Sequence, residues 1–465
     1  MARRLPIPSS AARVLAAACA AAFAAAGCAD YWFGTGPGAV ASVTTPSGIL
    51  SGDIAFAYTL SGKDGTADIA VSYSTDGTTF RRATEGPGSD GTRGLAVLKA
   101  GVSHTFVWSS GVDLPGARHE SVVLRIAPED GDSGSTSPFR LHNGRYLGAV
   151  ESVPAGAASK VRLYSADVSS GRVSFVQSLA SGGTGAYDIL YDRGIFYVAN
   201  ETSDSISALQ LLEDARALMP VAGSPFAAGI SGPRYLATDG TRLFVSGTGN
   251  SIAALDRDQT TGALAYRSSA AVESPRGLLV RSGYLYVASE TTGNIFVFDV
   301  DSGGTLYANP SSPISAGGTV APRSLLLAGL RIYAASASSP EIAGFNVLAG
   351  GGLALLGGSP FPVSSAAPEK LVLNGSRLFA VSGAGERLIA ATIDPFGSVA
   401  EDAVSPVALG GPSYGLATAD AIVVAATTAS EELAVWTLVG TSSLAPAAGS
   451  PFAAGAEIAR IAISD

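Results

Sequence analysis

Cysteine and histidine are nearly absent from this chain of 465 residues, and their scarcity excludes several kinds of chemistry. The only two cysteines, Cys19 and Cys28, lie near the N-terminus, so the rest of the chain has no disulfide, no thiolate metal ligand and no cysteine nucleophile. Three histidines occur, and all of them precede residue 144: His104, His119 and His142. Residues 144–465 therefore offer no imidazole base and no histidine ligand, and we expect no metal site and no cofactor.

Positive charge and long apolar runs are also scarce. Only 14% of the residues are charged, the net charge is −9, and no long basic run occurs, which argues against nucleic-acid binding. Beyond the first 28 residues no apolar run reaches 18 residues, so the sequence predicts no membrane-spanning helix. The chain is rich instead in glycine (57) and proline (25), set between short apolar runs. This pattern is typical of β-structure with frequent tight turns.

The N-terminus has the pattern of an export signal. Three arginines precede an apolar run that ends at Ala26 and is too short to span a bilayer as a helix. Small residues before Cys28 (AAAGC) resemble the lipobox of bacterial lipoproteins. That resemblance implies cleavage before Cys28 and lipidation of its thiol, which would anchor the protein to a membrane of the bacterial envelope, in the periplasm or on the outer surface. A soluble secretory signal cut nearby is the alternative.

Residues 29–143 are predicted to contain a tether and a small β-domain. The Gly- and Pro-containing stretch 29–41 is expected to be a tether, and its aromatic triplet YWF (31–33) would rest at the membrane interface or pack on the next domain. Residues 42–143 alternate in polarity like half-buried strands, and Asp76-Gly77 predicts a hairpin turn. The strand pattern resembles an immunoglobulin- or fibronectin-type β-sandwich, with Trp108 as its core aromatic.

Residues 144–465 repeat a unit of four short strands separated by Gly, Asp, Asn or Ser turns. The first strand of most units follows a proline, at positions 233, 275, 322, 368 and 412. A heptapeptide, GSPFAAG, occurs at 223–229 and 449–455, and a relative, GSPFPVS, at 358–364. Each copy ends a fourth strand, so we interpret it as the connector to the next unit. Proline suits a chain leaving an edge strand because it donates no hydrogen bond.

The two ends of the repeat region complete each other. Residues 145–178 supply three strands, and the missing first strand is the C-terminal segment IARIAISD (458–465). Residues 144–465 number 322, and 322/7 is 46, a typical blade length. The sequence therefore predicts an all-β protein: a seven-bladed β-propeller of four-stranded blades, closed by its C-terminal strand and preceded by a small β-sandwich.

The second-strand motifs Tyr197-Val198-Ala199-Asn200 and Tyr286-Val287-Ala288-Ser289 resemble the Y-V-T-N signature of bacterial surface propellers. With the Pro-Arg strand onsets, they are also similar to the lactonase-type seven-bladed propellers, whose enzyme members include 6-phosphogluconolactonase. The resemblance covers about 320 residues. It implies the propeller fold and a candidate activity on lactones, although the histidine that this family's enzymes use has no counterpart in this repeat region.

One set of residues predicts a binding site. The position after each strand-onset proline, or its equivalent, reads Tyr187, Arg234, Arg276, Arg323, Glu369, Ser413 and Arg460. First strands line the channel of a propeller, so Arg234, Arg276, Arg323, Glu369 and Arg460 are expected at one channel mouth, where arginines would bind an anion. In the structural alternative each arginine binds carbonyls or carboxylates of a neighbouring blade.

These observations leave three functions open. The leading interpretation is a lipid-anchored envelope protein whose propeller binds or scaffolds proteins or glycans. The alternative is a lactonase-type hydrolase acting in the envelope, which would make the protein an enzyme on lactones or esters. A purely structural role in the envelope is the third.

Overall fold

The computed structural model describes residues 39–114, 117–152, 157–168, 170–212, 216–317, 320–364, 367–383, 385–428, 430–439 and 443–464. The expected signal segment and Cys28 lie outside these residues, as does the tether up to residue 38. The chain divides into two compact units. Among the described residues, the first comprises those within 39–45, 55–106 and 123–138, and the second comprises those within 46–54, 107–122 and 139–464.

The N-terminal β-region has twelve described strands and one short helix. They are β1 (Ala39–Val43), β2 (Ile49–Leu50), β3 (Asp53–Ser61), β4 (Gly65–Ala67), β5 (Ile69–Ser74), β6 (Arg81–Arg82), β7 (Leu95–Val97), β8 (Val102–Ser109), α1 (Ser110–Asp113), β9 (Arg118–Pro128), β10 (Gly131–Asp132), β11 (Gly134–Ser135) and β12 (Phe139–His142). One sheet has the order β10-β1-β3-β8 and another the order β2-β12-β9-β5-β6, with β11 also paired to β9. Strand β1 begins inside the stretch expected as a tether, and β10 and β11 lie inside the Gly- and Ser-rich segment that follows β9.

Local sequence explains the turns and burial of this region. Strand β3 alternates buried and exposed residues, as its alternating polarity predicts. The Asp76 carboxylate accepts the backbone N–H groups of Thr78 and Thr79 at 2.7 Å, which forms the turn between β5 and β6. Trp108 is fully buried, and its indole N–H donates to Asp113 at 2.6 Å.

The second unit contains seven antiparallel sheets, the blades of a β-propeller. Blade 1 is β13 (Gly144–Glu151), β14 (Ala158–Asp167), β15 (Val173–Thr184) and β45 (Ile458–Ile463). Blade 2 is β16 (Ala186–Asp192), β17 (Ile195–Asn200), β18 (Ser205–Leu212), β19 (Ala217–Pro220) and β20 (Phe226–Ala227). Blade 3 is β21 (Pro233–Thr238), β22 (Arg242–Gly247), β23 (Ser251–Arg257) and β24 (Leu264–Ala271). Blade 4 is β25 (Pro275–Arg281), β26 (Tyr284–Ser289), β27 (Asn294–Val300), β28 (Leu306–Ala308) and β29 (Ile314–Ser315).

The other three blades repeat this order. Blade 5 is β30 (Pro322–Ala328), β31 (Arg331–Ser336), β32 (Glu341–Val347), β33 (Leu353–Leu355) and β34 (Phe361–Pro362), with a 3-10 turn at Ala349–Gly351. Blade 6 is β35 (Lys370–Asn374), β36 (Arg377–Ser382), β37 (Arg387–Ile393), β38 (Val399–Glu401) and β39 (Val407–Ala408). Blade 7 is β40 (Ser413–Ala419), β41 (Ile422–Thr427), β42 (Glu432–Val439), β43 (Ser443–Pro446) and β44 (Phe452–Ala453).

The C-terminal strand closes the ring. Strand β45 pairs antiparallel with β13, from Leu147 opposite Ile463 to Glu151 opposite Ile458. Strand β45 also lies beside β16 and β40, the first strands of its two neighbouring blades. A buried hydrophobic cluster fills each of the seven interfaces between blades, including the one that joins blades 7 and 1. The predicted seven-bladed fold and its closing strand are therefore confirmed.

The repeated Ser-Pro turn belongs to the outer edge of the blade. In the five blades that have it, the short fourth strand and the two-residue strand after the proline both pair with the third strand. The serine hydroxyl fills the gap between them: Ser224 Oγ accepts the Ala208 N–H at 2.9 Å, and Ser359 Oγ accepts that of Gly344 at the same distance. The same bond recurs at Ser312, Ser405 and Ser450. Phe226, two residues beyond Ser224, packs in the hydrophobic cluster that blades 2 and 3 share.

Candidate functional site

Six of the seven first strands begin with a bulge, and the first strand of blade 6 pairs regularly; the bulges place side chains at the channel mouth. In blade 2, Ala186 and Asp188 pair with neighbouring residues of the second strand while Tyr187 pairs with none. Corresponding shifts leave Arg234, Arg276, Arg323, Tyr414 and Ala459 unpaired, and Glu369 directly precedes β35. A bulge redirects its extra residue away from the regular alternation. We name this set the bulge ring: Tyr187, Arg234, Arg276, Arg323, Glu369, Tyr414 and Ala459.

The strand pairing corrects the predicted alignment in two blades. Tyr414 takes the bulge position that the alignment assigned to Ser413, and Ala459 takes the one assigned to Arg460. Arg460 pairs with Val150 and so belongs to the next position along the strand. The alignment relied on the strand-onset proline, which β45 lacks, and in blade 7 the bulge comes one residue later after Pro412. Arg460 thus belongs to a second set, the channel ring: Asp188, Tyr235, Gly277, Ser324, Lys370, Gly415 and Arg460.

A chain of alternating charges crosses blades 4, 5 and 6. Arg276 Nε lies 2.5 Å from Glu290 Oε2, the other oxygen of Glu290 accepts a hydrogen bond from Arg323, and Arg323 Nη1 lies 2.5 Å from Glu369 Oε2. These side chains are between 12% and 23% exposed. The network therefore holds the mouth carboxylates in fixed, charge-assisted hydrogen bonds.

The protonation of this network follows from its pairing. Burial would raise the pKa of Glu290, but hydrogen bonds and charge from Arg323 and Arg276 outweigh it and hold that pKa below its usual value. Burial likewise opposes the charge of Arg323, but Glu369 and Glu290 raise the pKa of the guanidinium above its ordinary value. Glu290 and Arg323 are therefore ionised at neutral pH.

A second cluster joins blades 1, 2, 3 and 7 around aromatic rings. Arg234 Nη2 donates to Glu201 at 2.7 Å, and its guanidinium carbon lies 4.9 Å from the centre of the Tyr187 ring. The Tyr187 and Tyr235 hydroxyls are 3.3 Å apart. The Arg460 guanidinium carbon lies 5.3 Å from the ring centres of both Tyr187 and Tyr414. Burial first, and the neighbouring Tyr187 second, raise the pKa of Tyr235, so its hydroxyl stays protonated.

A small cavity of about 40 Å³ lies below these side chains. Its lining comes from the first strands of blades 1 to 6: Asp188, Tyr235, Leu236, Gly277, Leu278, Arg323, Ser324, Leu325, Glu369, Lys370 and Arg460. Gly277 allows close approach of the next strand, because an added Cβ would lie 2.6 Å from the Arg323 carbonyl oxygen. The volume suits one or two waters or a single carboxylate-sized group, and not a whole sugar ring.

Of the predicted ligand-binding residues, the structure brings Arg276, Arg323 and Glu369 into one network. Arg234 lies in the aromatic cluster, and Arg460 lies in the channel ring. Arg234 binds a carboxylate of the preceding blade, and Arg323 binds carboxylates of both neighbouring blades, as the structural alternative predicts. Arg276 also binds a carboxylate, but one of its own blade.

Sequence reasoning missed two partners, Glu201 and Glu290. Both follow the second-strand motifs directly, in YVANE and YVASE, and these glutamates were the available signal. It also missed Asp188 and Lys370 as channel residues. Across the described ranges, no group of three or more His, Cys, Asp or Glu side chains is arranged to hold a metal ion. In the same ranges, no helix is long and apolar enough to cross a membrane.

Comparisons with known proteins agree with the propeller fold. Residues 148–321 match a family model described as lactonase, 7-bladed beta-propeller. A candidate 6-phosphogluconolactonase of Bacteroides fragilis is similar in structure, with a TM-score of 0.61 and 13% identity over 70% of this chain and 98% of that one. The periplasmic gluconolactonase PpgL of Pseudomonas aeruginosa gives a TM-score of 0.59 and 16% identity over 69% and 99%. No curated protein matches the sequence significantly. At these identities the likeness establishes the fold of a lactonase-type propeller.

Proposed function

We propose that the protein is an exported, lipid-anchored envelope protein whose propeller binds a sugar-like ligand at the channel mouth. The observation that carries this proposal is the combination of the tyrosine rings of the bulge ring with its arginines, which are already paired with Glu201, Glu290 and Glu369. An aromatic ring offers an apolar face with a polar edge, and fixed charged groups offer hydrogen bonds to hydroxyls. A polyhydroxylated ring needs both. The paired side chains are already held by hydrogen bonds, so little ordering accompanies binding.

The protonation of the mouth favours binding over proton transfer. An efficient general base has a pKa near the working pH. Residues 144–465 contain no histidine, and the arginines lower the pKa of Glu290 further from neutrality. Glu290 and Arg323 serve well as fixed hydrogen-bond partners, because the lowered pKa of the carboxyl and the raised pKa of the guanidinium keep both charged between pH 6 and 8.

Binding is tested by titration calorimetry with a panel of mono- and oligosaccharides. Tyr187→Ala should weaken the best ligand about tenfold, which corresponds to about 1.4 kcal/mol. Tyr266→Ala is the matched control, because that tyrosine is 50% exposed on the outer strand of blade 3. Equal effects of the two substitutions, at unchanged melting temperature, would contradict a site at the mouth.

Anchoring is tested separately. In a bacterial host, the wild-type chain should incorporate labelled palmitate and fractionate with membranes, and Cys28→Ser should do neither. Palmitate labelling that survives the substitution contradicts a lipid anchor on Cys28.

The second candidate function is hydrolysis of a sugar lactone at the same mouth. It is supported by the lactonase family match and by the position of Glu369 beside a guanidinium. Glu369 would take a proton from the attacking water, and an arginine would stabilise the oxyanion formed at the lactone carbonyl. Collapse of that oxyanion would break the ring C–O bond, and protonated Glu369 would return the proton to the leaving ring oxygen, which gives the open-chain hydroxy acid. A panel of aldonolactones tests it: hydrolysis that disappears in Glu369→Gln supports an enzyme, and wild-type rates equal to buffer exclude this activity.

A further inference from the structure

Three ionisable side chains of the channel ring differ from those of the bulge ring in having no partner of opposite charge. Among the residues that the structure describes, no carboxylate lies within 4.0 Å of Arg460 or Lys370, and no cation lies that close to Asp188. Asp188 is 4% exposed and accepts only the Leu236 N–H, at 3.3 Å. Buried or half-buried charges are usually paired, so these three call for a partner.

The surroundings of Arg460 leave most of its donors available. Its guanidinium donates to the carbonyl of its own neighbour Ala459, at 3.2 Å. The rings of Tyr187 and Tyr414 lie 5.3 Å from the guanidinium carbon and hold it by cation–π attraction. An arginine held by aromatic rings, with most of its five donors unengaged, is prepared for a planar or tetrahedral anion.

The charges that line the cavity add up in favour of an anion. Arg323, Lys370 and Arg460 contribute three positive charges, against two negative charges from Asp188 and Glu369. Arg323 and Glu369 neutralise each other directly. What remains is two cations and one carboxylate around a space of about 40 Å³, enough for one small anionic group.

We propose that this cavity is the anion subsite of the ligand: Arg460 and Lys370 hold a carboxylate or phosphate group, and Asp188 accepts a hydroxyl hydrogen of the same ligand. The proposal rests on the proposed binding function of this mouth, and it assigns the ligand to the acidic sugars. It also separates two roles, because Arg276 and Arg323, already paired, position the mouth, whereas Arg460 and Lys370 select the charge.

The test is calorimetric titration of the mature chain at fixed ionic strength and pH 7 with four probes: gluconate, glucose 6-phosphate, inorganic phosphate and neutral glucose. The two acidic sugars should bind at least tenfold more tightly than glucose, and inorganic phosphate alone should bind weakly but measurably. Gluconate against glucose 6-phosphate then distinguishes a carboxylate from a phosphate ligand. Arg460→Gln and Lys370→Gln should each reduce the preference for acidic sugars about tenfold.

Controls separate charge selection from folding. Arg460→Lys should retain most of the preference because it keeps the charge. Arg267→Gln should leave the preference unchanged, because Arg267 is half exposed on the outer strand of blade 3.

Equal affinity for gluconate and glucose, or a preference that persists in Arg460→Gln, overturns the subsite while leaving sugar binding intact. Binding of phosphate without any sugar supports the subsite and contradicts the sugar-binding function. Absence of binding by all four probes overturns the subsite.

Discussion

Glu290 is the carboxylate on which the mouth network depends, and replacing it by glutamine makes a sharp test. It is 17% exposed and bridges Arg276 and Arg323, which are 22% and 23% exposed. In Glu290→Gln, Arg276 loses its carboxylate partner, whereas Arg323 keeps Glu369. Fully exposed ion pairs contribute at most about 1 kcal/mol, and removing one partner of a buried pair costs about 3–5 kcal/mol. The intermediate exposure places the expected loss at about 2–3 kcal/mol.

The matched control is Glu201→Gln, because Glu201 is 29% exposed and binds a single arginine, Arg234. Its expected cost is about 1 kcal/mol. By thermal unfolding followed by circular dichroism at pH 7, Glu290→Gln should lower the melting temperature by about 3–4 °C and Glu201→Gln by about 1–2 °C. Equal shifts for the two variants would refute the claim that Glu290 is the central bridge.

The pH dependence of the free energy of unfolding of Glu290→Gln tests independently whether ionised Glu290 stabilises the fold. The pKa of Glu290 is lowered in the folded protein below its ordinary 4.5. The stabilisation from ionised Glu290 is therefore fully present above about pH 4.5 and is lost as the pH falls through the lowered folded value. The difference in free energy of unfolding between wild type and Glu290→Gln should stay constant from pH 8 to 6 and shrink below pH 4.5. A difference that grows on acidification contradicts the assignment.

Three further predictions concern the scaffold. Asp402→Asn should cost about 3 kcal/mol in urea denaturation, because Asp402 and its partner Arg377 are 6% and 5% exposed; a loss below 1 kcal/mol contradicts a buried pair. A chain that ends at Glu457 lacks β45 and should lose its single cooperative thermal transition; an unchanged transition would mean that closure does not stabilise the ring. Ser359→Ala removes the acceptor of the Gly344 N–H and should cost about 1 kcal/mol, and no measurable loss argues against that bond.

The sequence was sufficient for the architecture because the fold is repeated. Turn residues and strand onsets recur at blade spacing, and the unmatched C-terminal strand identified the closure. The site was less predictable. The position after the proline locates a bulge residue in blades 3 to 5 and the residue directly before β35 in blade 6. Strand β45 has no proline, so the alignment places Arg460 one residue away from its actual register.

The repeat pattern does not predict which charged side chains form ion pairs. Glu201 and Glu290 stand after the same motif, yet Glu201 reaches an arginine of the next blade, whereas Glu290 joins its own blade to the next. Only the packing of neighbouring blades decides which pairs form. The sequence pattern likewise predicts only a connector at the Ser-Pro turn, whereas the serine hydroxyl accepts a backbone N–H inside the blade. The acylation of Cys28, the domain boundaries and the immunoglobulin-like character of the N-terminal strands stay predictions.

The Ser-Pro turns also determine how the rim of the disc can meet another molecule. In five blades they break the outer edge into pieces of two to four residues, too short for a foreign strand to extend the sheet. Blades 1 and 3 lack the turn, and their outer strands β15 and β24 run for 12 and 8 residues, although each contains a register shift in its pairing. Strand addition to the ring, in a fibre, a swapped dimer or a complex, is therefore expected at the outer edges β15 and β24. These are the two blades whose sequence lacks the Ser-Pro dipeptide.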